Sequence, residues 1–443
     1  MLRERLVRQY FDVAQLSSHS HATGFGNPAM SFREAIWKSP PNNVYNRKTK
    51  MKAVQFGAGN IGRGFLGQLF SESGYEVVFV DVVPEVVRLL NERHCYTIRI
   101  ASETPENIPI HNVRSVDGRD IEAVAEELAS ADIACTAVGV NVLPAIAPAV
   151  ARGVEKRAER GVNEPLNIII CENMAHADDF LCEKVRERLQ EQYRSYFDKH
   201  IGFVMSVVAR MVPFMTDEQR MEDPLLVVVE AYKRLPVDKQ AFIGPVPEIV
   251  GMEPHENFQA YVDDKLFTHN CGHAVSAYLG YLRGHEYMYQ AMRDDKVRNT
   301  ALAALAETGE ALIKCYGFDR KEHQAHIDDL IERFGNIALG DQVVRVGRDP
   351  VRKLSPDDRL VGAVKFAMSQ GIFPENVCKG IAAGLLFNPP DDPTAPRVQE
   401  IIKNKGPEAA LSEICGLNGT SKAKSVILDE LSVIKKEFQP NGC

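Results

Sequence analysis

From residue 51 onward, apolar positions fall into short blocks whose period switches between two and about 3.6. Lys52–Phe56 (KAVQF), 76–80 (EVVFV), 132–137 (DIACTA) and 166–171 (LNIIIC) are short β-prone runs and read as strands. Pro84–Arg93, Ile121–Ala129 and 143–160, with apolar residues three and four apart, read as helices, as does 63–73. Strands alternating with helices predict a parallel sheet covered on both faces. Further strand-like runs lie near 201–208 and 225–231. From about residue 257 the pattern turns predominantly helical, punctuated by Pro350, Pro356, Pro374 and Pro389-Pro390. No internal repeat is evident.

The first strand runs into Gly57-Ala58-Gly59-Asn60-Ile61-Gly62, a helix follows, and the second strand ends in Asp81. A bare G-x-G-x-x-G occurs often by chance, but between a strand and a helix, with an acid 24 positions after Gly57, it marks a dinucleotide site. Gly57 allows the tight turn, Gly59 lets a pyrophosphate approach the backbone, and Gly62 lets the helix pack against the strand. Asp81 is placed to accept hydrogen bonds from an adenosine ribose and to repel a 2′-phosphate, which favours NAD over NADP. Val138 and Gly139, after the DIACTA strand, are placed to line the nicotinamide or its ribose; a plain strand-to-helix turn is the other reading. The expected architecture is an α/β Rossmann-type N-terminal domain over 51–250 and a predominantly α-helical substrate or catalytic domain over 251–443.

The 443-residue length suits two or three domains. Apolar residues are 45% and charged residues 25%, ordinary globular usage that speaks against disorder, collagen or coiled coil. No apolar run reaches the roughly 18 residues of a membrane helix. Nine cysteines without a Cys-x-x-Cys pair read as reduced thiols. Residues 1–50 carry eight Lys/Arg against three acids, or +5, so the net charge of −8 leaves −13 on the rest. So acidic a body is not expected to bind nucleic acid, and an anionic ligand needs a local basic cluster. The polar, Gly/Pro/Asn-rich first 50 residues read as a disordered extension, or as an organellar presequence because Met1 to Leu16 is Arg-rich and acid-poor. Cytoplasmic location is expected, with an organelle as the alternative.

One helical stretch, 257–282, carries Lys265, Asn270 and His273 (KLFTHNCGH). At about 100° per residue these sit within about 140° of one another. A partly buried lysine suits proton transfer, and Asn270, with Asn173 after the LNIIIC strand, offers amide donors to a developing alkoxide. Spacing alone equally allows a solvated face with an extended lysine. His269, Cys271 and His273 do not share one face as three ligands, so no metal is expected. A second cluster holds Arg345, Arg348, Arg352, Lys353 and Arg359, interspersed with Asp349, Asp357 and Asp358. It reads as a salt-bridged surface loop or as a phosphate clamp.

FGAGNIGRGF, TAVG, PLNIIICENM, KLFTHNCGHAVSAYLG and RVGRDPVRKLSPDDRL together resemble the polyol-specific long-chain dehydrogenase family, in order over residues 51–437. The resemblance implies that Lys265 is the general acid/base, that Asn173 and Asn270 are oxyanion donors, that His273 orients substrate, and that no metal is used. With the basic cluster it implies reversible hydride transfer: D-fructose 6-phosphate + NADH + H⁺ ⇌ D-mannitol 1-phosphate + NAD⁺. Arg352, Lys353 and Arg359 are the expected phosphate residues, and the partner is a small sugar phosphate, with a monomer as working state. The alternatives are a non-phosphorylated polyol or hexuronate dehydrogenase and, in another class, an NAD-sensing regulatory protein.

Overall fold

Six parallel strands form the central sheet in the order β5-β2-β1-β6-β7-β8: β1 Lys52–Phe56, β2 Glu76–Asp81, β5 Val113–Asp117, β6 Ile133–Thr136, β7 Leu166–Ile170 and β8 Ile201–Met205. The computed structural model describes residues 51–213, 215–419 and 421–438; the readings of residues 1–50 lie outside them. Alternation along the strands explains the two-sided burial. Ala53, Val77, Phe79, Ile133 and Cys135 pack into one apolar cluster, and Val54, Phe56, Val78, Val80 and Ala134 into another on the opposite face. Helices Pro84–Arg93, Ile121–Ala129 and Leu143–Glu159 form where the pattern places them, the second capped by the Asp120 carboxylate accepting from Ala123 N–H at 3.0 Å. Strand order reverses between β1 and β6, so the turns after these two strands flank the crevice where such sheets hold ligands.

Several features were not foreseen. Residues 94–120, given no element from sequence, supply the edge strand β5 and a hairpin of β3 (Cys95–Ile100) and β4 (Glu106–His111). Strand β9 (Val227–Val229) pairs with β3 to complete a second, three-stranded sheet. The stretch expected as one helix over 63–73 begins with a π-turn, Gly62–Leu66, before the α-helical Gly67–Glu72.

Beyond residue 257 the chain is helical, around a large apolar cluster centred on Val275, Tyr278, Leu305, Leu330 and Ile381. Arg333 of helix Arg320–Phe334 ties this half to the first. Its guanidinium donates to Glu230 at 2.7 and 2.8 Å and to the Ala209 carbonyl at 2.9 Å, and lies 4.2 Å from the Tyr232 ring centroid. Among the described residues no helix is long and apolar enough to cross a membrane.

Candidate active site

The turn after β1 is built as a dinucleotide cradle. Gly57 has φ +89°, and a Cβ there would lie 2.5 Å from the Ala137 carbonyl oxygen; one on Gly62 would lie 1.9 Å from that of Gly57. Neither position admits a side chain. Gly59 differs, since a Cβ would meet nothing within 4 Å. That open space suits a pyrophosphate laid against the backbone. Asp81 accepts from Ala58 N–H at 2.7 Å and Val83 N–H at 2.9 Å, so it braces the glycine turn; a carboxylate has lone pairs left for ribose hydroxyls. Asn60 donates to the Pro213 carbonyl at 3.3 Å. Val82 and Val83, just after β2, and Val140 and Val142, in the turn after β6, are exposed apolar side chains of the kind that can face a nucleotide base. The residues present therefore fit NAD.

A cavity of about 700 Å³ opens between this sheet and the helical half, lined by Ile61, Glu172, Asn173, Lys265, Asn270, Arg345, Arg352 and Arg359 among others. Lys265 and Asn270 share one helix, composed of Phe258–Asp264, a π-turn Lys265–Asn270 and Cys271–Leu282. The uniform 100° wheel does not apply across it. In an i→i+5 turn each residue advances by less than 100°, which brings Asn270 nearer the Lys265 face than the uniform wheel does, and both line the cavity. Thr268 anchors the turn by donating to Asp264 at 2.9 Å.

Lys265 Nζ donates to Asn173 Oδ1 at 3.2 Å, leaving the Asn173 amide NH₂ as a donor to a ligand. Burial pushes the Lys265 pKa down to about 8; the Arg359 guanidinium adds to the fall and Asp358 opposes it. The buried Asn270 Nδ2 has no partner among the described residues, an orphaned donor of the kind a substrate oxygen satisfies.

His273 is not among the residues lining the cavity. Its ring stacks on Phe334 with centroids 4.6 Å apart, and Nε2 lies 3.5 Å from Asp341 Oδ2. Asp341 Oδ1 in turn accepts from the cavity-lining Arg345 at 2.6 Å. His273 thus reaches the cavity through two intervening side chains. The basic cluster is likewise divided. Arg352 donates to Asp349 at 3.0 Å and Asp358 at 3.3 Å, and Arg359 to Asp358 at 2.7 Å; both line the cavity. Although burial opposes it, Arg359 and Arg352 hold the Asp358 carboxyl below the usual range. Lys353 is only 6% exposed, donates to the Val346 carbonyl and is not among the lining residues. Its helix, Pro350–Lys353, aims that amine at the carbonyl end of Val343–Gly347, and burial pushes its pKa down to about 7.

Two residues given no role from sequence matter here. Glu172 accepts from Thr136 Oγ1 and from Val138 N–H at 2.9 Å, tying the ends of β6 and β7 together. Arg210, buried, donates to the Gly64 carbonyl at 2.9 Å and Gln68 at 2.7 Å beneath the dinucleotide turn. The partners just named lie 34 to 146 positions away, and no local pattern announces them. Among the described residues no group of three or more His, Cys, Asp or Glu is arranged to hold a metal ion.

Residues 51–251 match the mannitol dehydrogenase Rossmann domain, and residues 257–430 the mannitol dehydrogenase C-terminal domain. Among solved structures, the chain resembles mannitol 2-dehydrogenase of Pseudomonas fluorescens, in ternary complex with NAD and D-mannitol. Identity is 16% and the TM-score 0.66, over 89% of this chain and 93% of that one. It also resembles a D-sorbitol dehydrogenase in substrate-free form, at 17% identity and TM-score 0.66, over 82% of this chain and 95% of that one. At such identities the likeness concerns the fold. The two domain matches together span most of the chain, and it belongs to the mannitol dehydrogenase family of polyol dehydrogenases, NAD-dependent oxidoreductases acting on CH–OH groups.

Proposed function

We propose that the protein is a mannitol-1-phosphate 5-dehydrogenase, catalysing the reversible NAD-dependent reduction of D-fructose 6-phosphate to D-mannitol 1-phosphate. The observation that carries this reading is the convergence, in one cavity, of Lys265 beside Asn173 with the guanidinium groups of Arg352 and Arg359. NADH, when bound, supplies the hydride. In reduction the Asn173 and Asn270 amides donate to the substrate carbonyl oxygen as charge develops on it, and Lys265 delivers the proton there; in oxidation neutral Lys265 takes it back. A lysine with its pKa near 8 serves both directions around neutral pH. His273 positions Arg345 through Asp341. Arg352 and Arg359, both already paired with Asp358, hold the phosphate. The working form is a cytoplasmic monomer.

A second reading has a non-phosphorylated polyol as substrate, as the names of the two similar structures suggest. Asp349 and Asp358 then simply neutralise the arginines. Assaying NADH oxidation with fructose 6-phosphate beside fructose separates the two. Preference for fructose 6-phosphate by kcat/KM supports the first reading, and outright preference for fructose replaces it with the second.

A further inference from the structure

Glu172 is a buried carboxylate, 7% exposed, with no cation paired to it among the described residues. Such a group persists inside a protein when hydrogen-bond donors take the place of solvent. Two do so: the Thr136 hydroxyl and Val138 N–H at 2.9 Å. Both belong to the end of β6 and the turn after it. Gly139 sits at φ +87°, a backbone shape that favours glycine, and the Glu172 carboxylate accepts from the Val138 amide just before it.

The turn also touches the glycine cradle. A Cβ on Gly57 would strike the Ala137 carbonyl oxygen at 2.5 Å and reach Val138 Cγ1 at 3.4 Å. On its other side, Glu172 is bonded through the chain to Asn173, whose Oδ1 accepts from Lys265. One side chain therefore joins the backbone expected to flank the dinucleotide to the backbone that aims a substrate donor.

We propose that Glu172 is a positioning residue for the dinucleotide, fixing the Val138–Gly139 turn against the glycine cradle while it anchors Asn173. This deepens the NAD-dependent reading of the same site and is independent of which polyol is the substrate. Replacing Glu172 by Ala leaves the Val138 amide without its acceptor, and Glu172→Gln supplies one through its side-chain oxygen while its NH₂ donates to the Thr136 hydroxyl.

The test has two measurements on full-length protein. Amide hydrogen exchange without cofactor should show Val138 exchanging about tenfold faster or more in Glu172→Ala, the effect of one lost hydrogen bond, with β7 and β8 unchanged. Fluorescence titration should show the NADH Kd raised by about tenfold in the same variant and by no more than about threefold in Glu172→Gln. An unchanged Kd in folded Glu172→Ala overturns the proposal. So does faster exchange spread evenly over β6, β7 and β8, which marks general loosening, or a Glu172→Gln variant as impaired as Glu172→Ala. If Glu172→Ala does not fold, Thr136→Val decides: faster exchange at Val138 supports the strut and unchanged exchange refutes it. Failure of wild-type protein to bind NADH overturns the cofactor reading along with the proposal, whereas the exchange pattern without cofactor reports on the strut alone.

Discussion

Lys265 Nζ and Asn173 Oδ1, 92 positions apart in sequence, lie 3.2 Å apart across the cavity between the two halves. One residue comes from a π-turn of the helical half and the other from the end of a sheet strand. The proposed proton donor and one proposed oxyanion donor meet only when these halves pack together. The contact also occupies the acceptor end of the Asn173 amide, which leaves its donor end for a ligand.

Lys265→Ala should lose at least about a hundredfold in kcat, the usual worth of a general acid/base, while NADH affinity stays close to wild type. The reason is that the amine acts on the substrate oxygen and the dinucleotide is held by the Gly57–Gly62 turn. Steady-state kinetics beside NADH titration decide it, and retention of more than about a tenth of kcat rejects the role. Lys265→Met separates loss of charge from loss of packing.

The pH dependence follows from the lowered Lys265 pKa of about 8. Reduction needs the protonated amine, so its kcat should fall as pH rises through this region; oxidation needs the neutral amine and should rise. A pH profile in both directions, each flat between pH 7 and 9, would contradict the assignment.

Asp81→Ala should weaken NADH binding and relax discrimination against NADPH, because it removes a ribose acceptor, a repulsive charge and the brace on Ala58 N–H. Loss of the brace affects both cofactors alike. The ratio of kcat/KM for NADH and NADPH therefore isolates what the carboxylate does at the ribose, as acceptor and as charge, and an unchanged ratio places the adenosine elsewhere.

Gly59→Ala and Gly62→Ala should part company. The first has space for its methyl group within the protein, so the melting temperature should hold while NADH binding weakens. The second forces a methyl group to 1.9 Å from the Gly57 oxygen and should destabilise the folded protein itself. Thermal unfolding beside NADH titration checks both.

Arg352→Ala should raise KM for fructose 6-phosphate by about tenfold or more, as loss of one charge-assisted hydrogen bond to phosphate is worth about 1.5–3 kcal/mol. Lys353→Met should leave that KM within about threefold, because its amine is buried and bound to the Val346 carbonyl, where no phosphate bond is lost. Equal effects on fructose 6-phosphate and fructose in Arg352→Ala would assign Arg352 to a sugar hydroxyl or to the fold.

The sequence by itself determined what depends on neighbours along the chain. Alternating apolar periods produce β1, β2, β6, β7 and the helices between them, because strand and helix each impose their own spacing on a buried face. The glycine turn and its terminal acid are likewise legible, since only glycine fits at Gly57 and Gly62. Tertiary structure decided the rest. The strands β3, β4 and β5 are only partly buried, and pairing with β9 and β2 is what fixes them. The π-turn widens the helix and draws Lys265 and Asn270 closer to one face, where a uniform wheel puts them about 140° apart. Within the basic cluster, composition could not separate Arg352 and Arg359, which line the cavity, from Lys353, whose amine ends on a helix carbonyl. Side-chain direction there is set by which partner lies across the fold, and a linear sequence records spacing along the chain, not distance through space.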